Sequence, residues 1–210
     1  MENTQESVRI VTSGKLIRIF SSDSKRNVLD VGGANGSRAR GHLLYSHTNR
    51  TIIDLKNGYD VMKEGLPDGP WDIVLANHFV EHVPDPDFFL DECRRIMKPH
   101  TVLDIGTPNL TAWFNRVFFL FGYVPHSMEL SRRFNIGKPF GWNKEELGGH
   151  IYVYTVPALC QLLKHHGFKI ISVVGEASTF PATIAVRWID KGLTLLSPTL
   201  ASAFRVKCTL

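Results

Sequence analysis

The sequence predicts an α/β fold in which a doubly wound, mostly parallel sheet carries helices on both faces. Short apolar runs of strand length alternate with segments of helical periodicity, and the first run ends in a glycine-rich turn. Runs that are apolar throughout indicate strands buried on both faces of a sheet. The chain has 210 residues, of which 43% are hydrophobic and 21% charged, and is predicted to form one domain over residues 1–210.

The elements follow one another in a regular order. The first predicted strands are residues 28–31, 51–54, 73–76 and 102–105. Helical segments are predicted at residues 7–20, 37–44 and 87–97, and Lys98 and Pro99 end the last of these. After residue 150 the sequence predicts a helix at 156–166, a strand at 168–174, a helix at 185–196 and a strand at 203–208.

Residues 109–150 interrupt this alternation and are predicted to be an insertion into the sheet. The segment is rich in Gly, Pro and aromatic residues and shows no clean helical or strand period. Its aromatic residues are Trp113, Phe114, Phe118, Phe119, Phe121, Tyr123, Phe134, Phe140 and Trp142, and its cations include Arg116, Arg132, Arg133 and Lys138. We expect most of these aromatic side chains to form a satellite core.

Composition excludes several classes of function. The net charge is +4, but Lys and Arg are scattered, so no nucleic-acid partner is expected. Cys93, Cys160 and Cys208 are far apart and form no CxxC pair, which argues against a disulfide framework or a zinc ribbon. No apolar segment approaches the about 20 residues that a membrane span needs, and the first ten residues lack the apolar core of a signal peptide. We expect a cytoplasmic protein, and the oligomeric state stays open.

The stretch NVLDVGGANGSRAR predicts a ligand site at the end of the first strand. Small residues between a strand and a helix leave backbone N–H groups open to a ligand at the positive end of the helix dipole. The spacing of Gly32, Ala34 and Gly36, with Asp30 before them, fits this better than the dinucleotide fingerprint. Asp54 ends the next strand 22 positions after Gly32, where a ribose-binding carboxylate is expected. The alternative is a tight turn and a surface aspartate.

These motifs resemble those of the class I S-adenosylmethionine-dependent methyltransferases, in their small-molecule branch. The resemblance rests on VLDVGGANG, TIIDLKNGYDV and WDIVLANHFVEHVPDPDFFLDECRRIMKPHTVLDIGTPN, and GHIYVYTVPALCQLLKHHGFKI is similar to the family's late helix and sixth strand. It implies a Rossmann-like sheet of seven strands with an antiparallel last strand, and S-adenosyl-L-methionine as the cofactor. Ala34 stands where the family has its middle glycine.

The resemblance also implies the residues that hold the cofactor. Asp30 and the turn would hold the methionine end, Asp54 the ribose, Asp60 and Val61 the adenine, and Asn77 and His78 would lie beside the sulfonium. The full predicted set is Asp30, Gly32, Gly33, Ala34, Asn35, Gly36, Asp54, Leu55, Asp60, Val61, Asn77 and His78.

HFVEH, residues 78–82, also matches a zinc-protease pattern that needs both histidines on one helical face. Pro84 disfavours helical geometry at Val83, so the sequence predicts no metal site here. Glu81 and His82 are expected to hydrogen-bond the loop that carries His78.

The function that the resemblance implies is methyl transfer by in-line displacement, which depends mainly on positioning. His78 and His150 are the candidates for a general base. The insertion is the expected lid and acceptor site, with an apolar or amphipathic small molecule as acceptor; a sugar- or lipid-linked molecule and peripheral membrane contact stay open. Two alternatives remain: a nicotinamide-dependent oxidoreductase, which the glycine spacing disfavours, and a non-catalytic relative that acts through a partner.

Overall fold

The structure, a computed structural model, describes residues 26–33, 48–139, 147–177 and 184–210. The helices predicted at residues 7–20 and 37–44 lie outside the described residues. So do Ala34, Asn35 and Gly36 of the predicted cofactor turn, and Phe140 and Trp142 of the insertion.

Six strands of the described part of the chain form one sheet. Their bounds are Arg26–Val31 (β1), Thr48–Ile53 (β2), Ile73–Asn77 (β3), Val102–Pro108 (β4), Lys169–Glu176 (β5) and Ala203–Thr209 (β6). The order across the sheet is β2–β1–β3–β4–β6–β5. The pairings of β1 with β2, β1 with β3 and β3 with β4 are parallel, whereas β6 is antiparallel to both β4 and β5. The prediction of a mostly parallel sheet with an antiparallel last strand is confirmed.

The described residues form six strands where the resemblance implies seven. The stretch between Ile53 and Ile73 is fully described, and it holds a 3-10 turn at Leu55–Asn57 and a one-turn helix, α1, at Val61–Glu64. This stretch contains three glycines and two prolines, at positions 58, 65 and 69 and at positions 67 and 70. Residues of these two types weaken strand pairing, which explains why no strand forms between β2 and β3.

Four longer helices in the described residues connect the strands. They are α2 at Pro86–Ile96, α3 at Trp113–Leu120, α4 at Val156–His165 and α5 at Ile184–Leu196. Helix α2 begins where Asp85 accepts a hydrogen bond from the Phe88 amide at 2.9 Å, with Pro86 in the first turn, and its buried face contains Phe89, Leu90 and Cys93. Helices α2, α4 and α5 confirm the predicted segments. No helix in the described ranges is long and apolar enough to cross a bilayer.

Helix α3 is a feature that the sequence analysis did not predict. Its sequence, WFNRVFFL, is apolar nearly all round, so no polar face marks the helical period. The structure shows the consequence, because Leu120 is 80% exposed and the following Phe121 is 70% exposed. Of the described aromatic side chains in the insertion, Phe114 alone is buried. Among the described residues, the expected satellite core is limited to a small cluster in which the Phe114 ring contacts those of Trp113 and Phe118.

Polar side chains hold the insertion together instead. The buried ammonium of Lys138 donates to the backbone carbonyls of Pro125, His126 and Met128. Asn115, which is also buried, accepts from the His126 amide at 2.8 Å and donates to the Asn109 carbonyl at 3.0 Å. These bonds fix the conformation of the chain after α3. Lys138 therefore has a structural role in the insertion.

The middle of the sheet, at β1, β3 and β4, is buried on both faces, as these apolar strands predict. Val28, Ile73 and Leu75 are fully buried on one face. The intervening residues of the same strands, Leu29 and Val74, are fully buried in a larger cluster on the other face, together with residues of α2 and α4. Because β1 to β4 are parallel, their carboxyl ends meet at one edge of the sheet. All the predicted cofactor residues that the structure describes lie on or after these strand ends.

Candidate active site

The first feature of this edge is the turn at Gly32, directly after β1. The Gly32 amide donates to the carbonyl of Ile53 at 2.8 Å, which ties the end of β1 to the end of β2. Gly32 has a φ of +80°, and a Cβ atom there would lie 2.6 Å from the ring of Phe79. Only glycine meets both demands without strain. The packing of Phe79 against the turn therefore requires glycine here, and contact of the turn with a ligand stays a prediction.

Asp30 lies beneath this turn. Its carboxylate is buried and forms an ion pair with Arg50 of β2. A Cβ atom on Gly33 would lie 1.9 Å from Oδ2 of Asp30, so the carboxylate packs directly against the main chain of the turn. The structure thus gives Asp30 a role in supporting the turn, and its contact with a methionine end stays a prediction. Sequence reasoning missed Arg50, which no motif marks.

Asp54 follows directly after β2 and lies next in sequence to the residue that binds Gly32. Its carboxylate is half-buried, and Oδ1 accepts from the Lys56 amide at 2.8 Å, which caps the 3-10 turn. Leu55 is exposed on that turn. The structure therefore brings the predicted ribose carboxylate to the strand end beside the turn at Gly32.

Asp60 and Val61 have structural roles at the start of α1. The Asp60 carboxylate accepts from the Met62 amide at 3.0 Å, while the Asp60 amide donates to Oε1 of Glu64 at 2.9 Å. This reciprocal pair caps the start of α1 and resembles a capping box, with the amide of the second helical residue and the carboxylate of the fourth taking part. The hydrogen bond from Lys63, more than the one from the Met62 amide, lowers the pKa of Asp60. Val61 is buried in the main core. Their predicted contacts with adenine stay predictions.

The end of β3 places His78 at the same edge. The His78 amide donates to the Gly106 carbonyl of β4 at 2.8 Å, and its φ is +52°. No other non-glycine residue in the described part of the chain has a positive φ. Such strain persists where the surrounding structure imposes it, and it is concentrated at functional sites. The imidazole itself is exposed.

Glu81 joins His78 to the rest of the site. Its carboxylate is buried, with Oε1 3.0 Å from Nδ1 of His78 and Oε2 accepting from the Thr107 hydroxyl at 3.0 Å. The Glu81 backbone carbonyl accepts from the amides of Ile151 and Tyr152, at 2.8 and 3.1 Å. One residue therefore connects β3, β4 and the segment that returns from the insertion. The sequence analysis assigned Glu81 only a loop hydrogen bond, although HFVEH marks its position.

His150, the second base candidate, lies on that returning segment. Its Nδ1 is 3.0 Å from the Ser127 carbonyl, and its ring stacks on His82 with centroids 4.9 Å apart. Burial, together with the neighbouring His82, lowers the pKa of His150, although Glu81 and Glu129 offset part of this effect. Val80–His82 forms only a 3-10 turn and Val83 is extended. The structure therefore shows no helix that could present His78 and His82 as the zinc-protease pattern requires.

A buried charge network supports the end of β3 from the other side. Arg205 of β6 donates to Asp104 at 2.8 Å, to Glu176 at 2.8 Å and to Oδ1 of Asn77 at 2.5 Å. Burial lowers the pKa of the Arg205 guanidinium, but the charges of Asp104 and Glu176 outweigh this effect and raise it. Asn77, a predicted cofactor residue, is thus held in place by a residue that sequence reasoning did not single out.

These residues fit an adenosyl cofactor. Phe79 and Asp30 occupy the space that side chains at Gly32 and Gly33 would need, so both residues must be small, and the contact of this turn with the cofactor stays a prediction. Asp54 offers a carboxylate, which accepts two hydrogen bonds from a diol. The turn, Asp54 and His78 lie along the ends of three adjacent strands, and this is the edge where ligands bind in open α/β sheets.

Comparisons with known proteins agree with this arrangement. A methyltransferase domain family model matches residues 7–173. Among curated relatives, two ubiquinone biosynthesis O-methyltransferases of Rhodopseudomonas palustris are each 37% identical over 82 residues, 39% of this chain and 30% of theirs. One from Pasteurella multocida is 31% identical over 93 residues, 40% of this chain and 38% of its own. The chain thus matches less than two-fifths of the length of these relatives.

Solved structures with the same fold include a SAM-dependent methyltransferase from Archaeoglobus fulgidus. Its TM-score is 0.52 and its sequence identity is 19%, and the match covers 89% of this chain and 86% of that chain. Another from Clostridium acetobutylicum has a TM-score of 0.52 and 10% identity, covering 89% and 85%. The nicotinamide-dependent oxidoreductase alternative is wrong, because the family model covers most of the chain. The chain belongs to the class I S-adenosylmethionine-dependent methyltransferase family, whose cofactor is S-adenosyl-L-methionine.

Proposed function

We propose that the protein transfers a methyl group from S-adenosylmethionine to a hydroxyl group of a small, apolar-tailed acceptor. The observation that carries this proposal is the pairing of exposed His78 with buried Glu81 at the same sheet edge as Gly32 and Asp54. A hydroxyl acceptor must lose a proton during transfer, whereas an amine or thiol acceptor depends less on a base. The name of the curated relatives, ubiquinone biosynthesis O-methyltransferase, supports an oxygen acceptor.

The proposed mechanism divides the work among residues of the sheet edge. The bound cofactor would supply an electrophilic methyl group, and breaking its sulfur–methyl bond would leave S-adenosylhomocysteine. The turn at Gly32 and Gly33 would contact the methionine end of the cofactor, and the carboxylate of Asp54 would bind its ribose hydroxyls. Glu81, when ionised, only accepts hydrogen bonds, so His78 carries its proton on Nδ1 and leaves Nε2 to take the proton of the acceptor hydroxyl. The buried Glu81 carboxylate then stabilises the imidazolium that forms.

The proposal that the acceptor has an apolar tail rests on the exposed apolar side chains of α3 and α5. We call these side chains together the α3–α5 surface. Its apolar side chains are Val117, Phe119, Leu120, Phe121, Trp188, Ile189, Leu195 and Leu196. The indole of Trp113 donates to Asp190 at 2.9 Å and joins the two helices. Exposed cations Arg187 and Lys191 lie on α5. Apolar and basic residues side by side suit a peripheral contact with an anionic membrane that contains the acceptor. In this proposal the insertion, residues 109–150, forms the acceptor site.

The test uses cofactor labelled in its methyl group. Purified protein is incubated with a phenol that carries a long apolar tail, presented in anionic vesicles, and with the same compound already methylated on its hydroxyl. We expect label in the organic phase only with the free phenol, and less of it with Leu120→Glu/Phe121→Glu protein. Transfer to an amine or thiol analogue instead of the phenol would contradict the hydroxyl proposal. Cofactor binding without transfer to any acceptor would favour the non-catalytic relative.

A further inference from the structure

Three potential metal ligands meet beside the proposed base. They are the carboxylate of Glu81 and the imidazoles of His82 and His150, and one ligand atom from each lies within 4.8 Å of those of the other two. His150 is 68 positions away from His82 in the sequence, so the grouping is created by the fold. It differs from the zinc-protease pattern because His78 is not part of it.

Both histidines are held in the tautomer that suits a metal ligand. Nδ1 of His82 lies 3.1 Å from the Gly149 carbonyl, and Nδ1 of His150 lies 3.0 Å from the Ser127 carbonyl. A carbonyl oxygen only accepts hydrogen bonds, so each Nδ1 carries the proton and each Nε2 keeps its lone pair. Histidine ligands of metals commonly show this bond from the other ring nitrogen to a carbonyl, which orients the ring.

The segment that carries His150 is fixed on both sides. The amides of Gly148 and Gly149 donate to the Glu129 carboxylate, and the Ile151 amide donates to the Glu81 carbonyl. Glu81 is fixed by its bonds to His78 and Thr107. Its carboxylate has about four lone-pair sites, so these two bonds leave capacity for a cation. The three ligand atoms lie within 4.8 Å of one another, so they must approach one another to reach the spacing of a tetrahedral ion.

We propose that Glu81, His82 and His150 form a site for a divalent transition-metal ion, with Zn²⁺ as the metal that their chemistry suits best. Two imidazoles and one carboxylate leave a fourth position open to water or to an oxygen of a ligand. The proposal concerns metal binding and does not depend on the function proposed above.

The test is a zinc titration of the protein, prepared without a histidine tag and freed of metal by a chelator. The affinity for zinc is measured in competition with a chromophoric indicator. We expect one strong site per chain, and His82→Gln or His150→Gln to weaken it at least about tenfold. Cobalt(II) should give the intense visible absorption of four-coordinate ligation in the parent chain and lose it in both variants. His100→Gln and His165→Gln are matched controls, since both side chains are exposed.

Calorimetric titration with S-adenosylhomocysteine accompanies each variant. Retained binding of this product shows that a variant is folded, and it separates the metal site from the cofactor site. The proposal is overturned if the His82 and His150 variants bind zinc as the parent does, or if the cobalt spectrum is the weak spectrum of six-coordinate surface binding. It is equally overturned if the controls lose as much zinc affinity as the two variants.

Discussion

Nδ1 of His78 lies 3.0 Å from Oε1 of Glu81, a carboxylate that is 1% exposed and that also binds Thr107. His78 holds a φ of +52°, a conformation that costs on the order of 1 kcal/mol or more for a residue with a side chain. The fold therefore imposes strain on this residue and directs its imidazole toward a buried acid. An arrangement of this kind fixes both the tautomer and the orientation of a base.

The first prediction concerns this pair. His78→Ala removes the proposed base, and we expect kcat to fall roughly a hundredfold to ten-thousandfold with a hydroxyl acceptor, while the KM for the cofactor changes little. Steady-state kinetics with each substrate varied in turn measure both quantities. His100→Ala is the control. An unchanged kcat in His78→Ala protein with retained product binding would show that His78 is not the base.

A second prediction separates the positioning residue from the base. Glu81→Gln keeps the shape of the side chain but removes its charge, so we expect His78 to lose its fixed tautomer and kcat to fall by less than in His78→Ala. The double variant should lose no more activity than His78→Ala alone, because the two residues act as a unit. Multiplied losses in the double variant would contradict this coupling.

The buried Arg205 network leads to a prediction about stability. Arg205→Met leaves Asp104 buried, with Lys207 3.7 Å away as a remaining cation. Removing one partner of a buried pair costs about 3–5 kcal/mol, so we expect the free energy of unfolding to fall by an amount in that range. Urea denaturation measures it. Lys169→Met on β5 is the exposed control, and an equal loss in both variants would contradict a specific role for the network.

His166 links α4 to α2 and predicts a pH dependence of stability. Its ring nitrogens lie 2.9 Å from Asp91 and 2.8 Å from Asp87, and Arg94 donates to its carbonyl. Burial lowers the pKa of His166, but the two carboxylates outweigh burial and raise it above 6.5. A raised folded-state pKa gives stability that is present below pH 6.5 and is lost as the pH rises through the folded-state pKa.

The measurement compares the parent chain with His166→Gln by urea denaturation at several pH values. We expect the parent's advantage in unfolding free energy to be largest below pH 6.5 and to shrink as the pH is raised. The effect should be modest and should weaken in high salt, because both carboxylates are exposed. An advantage that grows with pH would contradict the assignment.

Most of the fold was predictable because most of its elements are marked locally. Apolar runs define β1 to β4, Asp85 and Pro86 mark the start of α2, and Thr155 caps α4 through the Ala158 amide at 3.2 Å. Helix α3 was not predicted, since a helix that is apolar on all sides has no period to read. The described part of the chain also lacks the seventh strand, because the glycines and prolines after β2 disfavour strand pairing there.

The candidate site was predictable only where its residues are close in sequence. Gly32 and Asp54 follow consecutive strands, so their meeting at one edge follows from a parallel sheet. Asn77 and Arg205 are 128 positions apart, and nothing in either segment indicates their bond. The same holds for Glu81 and Thr107, since their contact depends on the register of β3 against β4.

The account depends most on Asp54 as the carboxylate that holds the cofactor's ribose. Calorimetric titration with S-adenosylhomocysteine tests this directly, with Asp68→Asn as the exposed control. Charge-assisted hydrogen bonds are worth about 1.5–3 kcal/mol, so we expect Asp54→Asn to bind the product roughly tenfold to a hundredfold more weakly, with Asp68→Asn unchanged. Equal affinity in the parent chain and in Asp54→Asn would contradict the proposed cofactor site.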